Sequence, residues 1–142
     1  MHRATNVALP LLLSCFTATH TDAGTSFSLL PATMTPLFAG SVDWGDFDGD
    51  DDLDVLITGR LGAAGTVRLY RNNGGGTFAL VTSGLTCGVG SSAEWGDYDG
   101  DGDLDIIMMG QDAGTLYRND AGSFATSFPT EWATAGDVAW GD

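Results

Sequence analysis

Apolar residues in this chain come in short runs closed by glycine. Val55-Leu56-Ile57-Thr58-Gly59 and Ile106-Ile107-Met108-Met109-Gly110 show the pattern most plainly. Runs of this length, bounded by turn residues, read as buried strands. No stretch sustains a helical period. One unit of the pattern resolves into four predicted strands: Ser41 to Gly45, with Trp44 turned to the core, Leu53 to Thr58, Thr66 to Tyr70, and Thr77 to Thr82. An acidic loop joins the first two strands. A Gly-rich turn from Gly59 to Gly65 joins the next pair, and Asn73-Gly74-Gly75-Gly76 joins the last. Gly and Asn suit such turns because they tolerate positive φ. A second unit has the same order, with a shorter turn at Gln111 to Gly114. Twenty-one glycines and four prolines in 142 residues fit an all-β, turn-dense chain.

The two units are copies. Trp44-Gly45-Asp46-Phe47-Asp48-Gly49-Asp50-Asp51-Asp52-Leu53-Asp54 returns as Trp95-Gly96-Asp97-Tyr98-Asp99-Gly100-Asp101-Gly102-Asp103-Leu104-Asp105. Leu69-Tyr70-Arg71-Asn72 returns as Leu116-Tyr117-Arg118-Asn119. Phe27 precedes Trp44 by 17 residues, Phe78 precedes Trp95 by 17, and Phe124 precedes Trp140 by 16. The unit is about 46–51 residues, a period expected of propeller blades or arrays. A third copy starts at Trp140-Gly141-Asp142.

The acidic loops carry the candidate chemistry. Aspartates fall at loop positions 1, 3, 5 and 9, so one short loop can wrap its carboxylates around a single hard cation. The candidate side-chain ligands are Asp46, Asp48, Asp50 and Asp54 in the first loop, and Asp97, Asp99, Asp101 and Asp105 in the second. Position 7 offers its backbone carbonyl, from Asp52 and Asp103. Oxygen-only ligands and no nearby soft donors point to calcium over zinc or copper, and magnesium demands a stricter octahedron. Eleven of the nineteen acidic residues lie in these loops. Without a cation they repel one another at short range. An EF-hand needs a bidentate Glu at position 12 and flanking helices. Here position 12 is Ile57 or Met108, inside a predicted strand.

The Trp-Gly-Asp-aromatic-Asp-Gly-Asp-x-Asp-Leu-Asp unit resembles the FG-GAP or VCBS-type repeat, related to the repeats of the N-terminal β-propeller of integrin alpha chains. The resemblance runs from Gly24 to Asp142. It implies blades of four strands, with calcium held in the hairpin loop between the first two. The fold expected is therefore all-β, an incomplete β-propeller of about two four-stranded blades plus the start of a third. The domain reading assigns 24–40 to the last strand of a preceding blade and a connector. It assigns 41–90 to the first repeat, 91–135 to the second, and 136–142 to a third that breaks off. One departure stands out. Position 6 is Gly102 in the second loop, as in the family, but Asp51 in the first.

The formal charge is −14, with five arginines and no lysine, which excludes nucleic-acid or anionic-membrane binding through a basic surface. Residues 1–23 differ from the rest. A short basic start, an apolar run from Val7 to Phe16, and Thr21-Asp22-Ala23 before Gly24 resemble a signal peptide. The other readings are a leftover strand of a preceding unit or a mis-assigned start. Leu12-Leu13-Ser14-Cys15 also forms a passable lipobox. The apolar run is too short to span a membrane. Free calcium is scarce in the cytosol, so a secreted or cell-surface location suits the loops. With cleavage after Ala23, Cys87 is the only cysteine left and reads as a small buried hydrophobe.

His2 and His20 both fall in the presumed signal, so histidine-based nucleophilic systems are not expected in the mature chain. No P-loop or dinucleotide fingerprint is present. The reading is a calcium-binding, non-catalytic module that binds protein or glycan, as in adhesion. The alternative is an accessory propeller segment of a larger secreted enzyme.

Overall fold

The structure, a computed structural model, describes residues 16–21, 24–29, 34–81, 83–110, 114–130 and 138–140, with side chains at 16–29 and 128–130 outside the description. Among these residues every regular element is a strand. β1 (Phe16–Thr21) and β2 (Gly24–Leu29) form an antiparallel hairpin. β3 (Val42–Gly45), β4 (Asp54–Leu61), β5 (Ala64–Asn72) and β6 (Phe78–Val81) form one four-stranded antiparallel sheet in chain order. β7 (Ser92–Gly96), β8 (Asp105–Met109), β9 (Gly114–Asp120) and β10 (Ser123–Thr130) form a second sheet of the same order. No helix of the described residues is long and apolar enough to cross a membrane.

The predicted strands are present, with two differences. β4 does not end at Gly59. It runs to Leu61, so the turn expected over 59–65 shrinks to residues 62 and 63. The reason is pairing on both sides. Gly59, Arg60 and Leu61 pair with Thr66, Gly65 and Ala64, and Arg60 also exchanges backbone bonds of 2.8 and 3.1 Å with Phe38. Extra ladder bonds outweigh the preference of glycine for a turn. The strand expected near Phe27 to Leu30 is β2, and its partner β1 lies within the stretch read as an export signal. Residues 1–15 of that stretch, and the turn expected at 111–113, lie outside the described residues.

The main core lies between the two sheets. Leu56, Val67 and Leu69 from the first meet Ala93, Trp95, Ile106, Met108 and Tyr117 from the second, with Phe47 of the first acidic loop closing one end. Val55, Leu56, Leu69 and Ile106 are essentially sealed from solvent. Each such side chain contributes roughly 1.5–3 kcal/mol of burial. A smaller cluster of Leu37, Val55, Ile57 and Tyr70 covers the other face of the first sheet. The connectors are held by the motif tyrosines: Tyr70 accepts a hydrogen bond from Thr35 N–H at 2.9 Å, and Tyr117 accepts one from Thr86 N–H at 3.1 Å.

Polar side chains of the first sheet also grip the edge of the second. Asp43 Oδ2 accepts from Trp95 N–H and Ser41 Oγ from Ala93 N–H, each at 3.0 Å. Thr58 Oγ1 donates to Ser91 C=O at 2.6 Å. The Trp95 ring stacks on Phe47, with centroids 6.1 Å apart and planes 4° from parallel. It sits directly over Gly45, where an added Cβ would lie 2.8 Å from ring atom Cδ1. The next copy repeats the arrangement, with the Trp140 ring lying over Gly96. The glycine of each Trp-Gly-Asp is thus the seat of the following tryptophan.

Trp44 departs from expectation. Trp95 is 9% exposed, but Trp44 is 42% exposed and meets Phe78 edge-on at 6.4 Å. Trp95 and Leu104 are covered by the first sheet. Their counterparts Trp44 and Leu53 point to the sheet's opposite side and remain exposed. Burial of this tryptophan is a property of two adjacent units, not of one.

Candidate metal centre

The two acidic loops fold alike because position 1 organises the backbone. Asp46 Oδ1 accepts from the N–H groups of Gly49 and Asp50 at 2.8 and 3.1 Å, and Oδ2 from Asp51 at 2.9 Å. Asp97 does the same with Gly100, Asp101 and Gly102, at 2.8, 3.1 and 3.1 Å. Asp50 Oδ1 and Asp101 Oδ1 each accept from the residue two further on at 3.0 Å. The loops are therefore wound tightly, with carboxylates converging on the inside.

Position 9 anchors the loop to the sheet. Asp54 and Asp105 are fully buried, at 0% exposure. Asp54 accepts from Phe47 N–H at 3.0 Å and from Asn72 N–H at 2.8 Å. Asp105 accepts from Tyr98 N–H at 2.9 Å and from Asn119 N–H at 2.7 Å. Each carboxylate bridges the start of its loop to the third strand of its sheet. Position 7 is different again. The Asp103 carboxylate accepts from Ala121 N–H at 2.9 Å, so it is tied to the turn after the third strand.

Ligand oxygens gather within 4.8 Å of one another for Asp46, Asp48 and Asp50 in the first loop, and for Asp97, Asp99 and Asp105 in the second. Asp54 and Asp101 lie outside these groups. Asp48 Oδ1 is buried and has no hydrogen-bond partner. A cation among these carboxylates would satisfy it. Burial, and then the charges of Asp50 and Asp46, push Asp48 above the ordinary carboxylate range against the pull of Arg71. Burial also raises Asp54, opposed by its two backbone donors. Asp99 is raised by lost hydration and then by Asp101, against the pull of Arg118. In all three the loss of hydration is the largest cause, and neighbouring aspartates add to it. The donor set, all hard oxygen, fits calcium.

Residues 46–108 match the family model of the FG-GAP-like repeat. This segment is similar to an FG-GAP-like repeat. The match opens on Asp46, the first position of the first loop, and closes on Met108, in the strand behind the second. No curated protein and no solved structure matches the chain.

Two residue types that serve these loops, arginine and asparagine, are not evident from loop spacing. Arg71 reaches Asp48 at 3.4 Å, and Arg118 reaches Asp99 at 3.1 Å and Asp101 at 3.5 Å. Asn119 is fully buried and donates from Nδ2 to Phe47 C=O at 2.8 Å, so the second sheet supports the first loop. Asn72 donates instead to Leu53 C=O of its own sheet, at 3.2 Å. The recurring Leu-Tyr-Arg-Asn was the available signal. It marks a repeat in the sequence, but only the strand pairing places it beside the loops.

Position 6 is left-handed in both loops, at φ 69° for Asp51 and 95° for Gly102. A residue with a Cβ pays roughly 1–2 kcal/mol in that region, somewhat less for Asp. Asp51→Gly is expected to raise stability by up to about 1 kcal/mol and to remove one negative charge outside the candidate ligand set. Thermal melts in chelator and in calcium check this. A lower midpoint in both would count against strain at Asp51.

Proposed function

We propose that the chain is part of a calcium-stabilised, non-catalytic propeller module of a secreted or cell-surface protein, each four-stranded sheet being one blade. The observation that carries the calcium reading is Asp48 Oδ1, a buried carboxylate oxygen without a partner among converging carboxylates. In the first loop Asp46, Asp48, Asp50 and Asp54 would hold the ion with the Asp52 carbonyl. In the second, Asp97, Asp99, Asp101 and Asp105 would act with the Asp103 carbonyl. Calcium would supply the positive charge that lets so many carboxylates share one turn, and so would stiffen the hairpin between the first two strands of each blade. The propeller reading is supported by the four-stranded sheets in chain order and by their face-to-face packing through a tryptophan seat. The module's own ligand is proposed to be protein or glycan, bound by loops at the rim, where such scaffolds vary.

Calorimetry tests the metal reading. About two calcium ions per chain are expected, with dissociation constants on the order of 10⁻⁴–10⁻³ M, as in extracellular modules, and weaker binding of magnesium. Equal affinity for the two ions, or no heat with calcium, would overturn it.

A further inference from the structure

We propose that Arg71 and Arg118 are built-in counter-ions of the two loops, which hold candidate ligands in the metal-free state and compete with the incoming cation for them. This rests on the calcium reading of the same loops. Both arginines occupy the same place on the third strand of their sheet, one residue after the inward tyrosine. Strand alternation turns the tyrosine into the core and the arginine out along the loop. Arg118 spans two carboxylates, with Nε 3.1 Å from Asp99 Oδ2 and Nη2 3.5 Å from Asp101 Oδ2. Arg71 holds one, with Nη1 3.4 Å from Asp48 Oδ2, and commits its Nε to Asn73 Oδ1 at 3.1 Å.

Both guanidiniums are about half exposed, so they can swing into water when displaced. The carboxylates they touch are among those proposed to bind the ion. A single positive charge on a carboxylate lowers its attraction for a second cation, and a divalent ion placed nearby repels the guanidinium. The arginines therefore stabilise the empty loop and weaken the filled one. Arg118, with two contacts, should act more strongly than Arg71. Five arginines are the chain's whole stock of lysine and arginine, and two of them are placed here.

The test is calcium titration by calorimetry, with thermal melts in chelator, of the wild type, Arg118→Gln, Arg71→Gln and Arg118→Lys. Arg118→Gln is expected to lower the midpoint in chelator and to tighten calcium binding at one site by about threefold to tenfold. Arg71→Gln should do both to a smaller degree. Arg118→Lys, which keeps the charge, should stay near the wild type. Calcium binding that appears only in Arg118→Gln would also support competition. Calcium binding in the wild type that Arg118→Gln leaves unchanged or weakens would overturn the inference and spare the calcium reading. No calcium binding by any of the four proteins would overturn both.

Discussion

Replacing Asp105 by alanine lowers the stability of the metal-free protein by about 3–5 kcal/mol. The carboxylate is fully buried, and both its oxygens accept backbone N–H bonds, from Tyr98 and Asn119. Removing it strands both donors away from water. Each buried unpaired N–H costs about 1–3 kcal/mol, and hydrogen bonds to a charged acceptor are worth more than neutral ones. The loss should be present in chelator, because no cation takes part in it. Asp101→Ala is the control. Asp101 is an exposed residue of the same loop, bonded to Asp103 N–H within the turn and paired at 3.5 Å with the half-exposed Arg118, a surface contact worth about 1 kcal/mol or less. Its removal should cost about 1 kcal/mol or less in chelator, far below the loss at Asp105. Urea or thermal unfolding of both variants, with and without calcium, separates the two roles. Equal losses in chelator would show that Asp105 does not staple the loop to the sheet.

Asn119→Ala is expected to cost about 2–4 kcal/mol, while Asn72→Ala costs about 1 kcal/mol or less. The two residues share a motif position and differ in what they touch. Asn119 is sealed, donates to Phe47 C=O across the sheet interface, and accepts from Gly122 N–H at 2.8 Å. Asn72 is half-buried, and its amide bonds to Leu53 C=O and Gly74 N–H stay within one sheet. Loss of Asn119 should also loosen the first loop, which contains Phe47, although Asn119 belongs to the other repeat. Amide hydrogen exchange across residues 46–54 is the measurement. Protection there unchanged in Asn119→Ala would show that the second sheet does not support the first loop.

Strand order, the hairpin loops and the spacing of the aspartates were legible in the sequence because each is a local signal. Apolar runs, turn residues and a repeated motif need no knowledge of the neighbouring sheet. Partner-dependent features were not legible. Trp44 and Trp95 share the Trp-Gly-Asp-aromatic-Asp-Gly-Asp motif, yet one is exposed and the other buried, since burial depends on the adjacent sheet. Gly59 looked like a terminator, and only the second pairing partner, Phe38, shows why the strand continues. Position 9 read as another ligand, while the structure also makes Asp54 and Asp105 anchors of their loops. Asp51 was legible as a strained position, because the corresponding residue in the other copy is glycine.

The seating of Trp95 on Gly45, repeated by Trp140 on Gly96, gives the stack a direction. The two partners present different surfaces, a plug and a socket, so the contact is heterologous. Each copy carries both halves. Duplicating a whole unit therefore creates a new matched joint with no fresh complementarity to evolve. It follows that Gly45 is sterically constrained by Trp95, about one repeat period away. Room for a larger residue at Gly45 would have to come from Trp95 and Leu104, both side chains of the following copy.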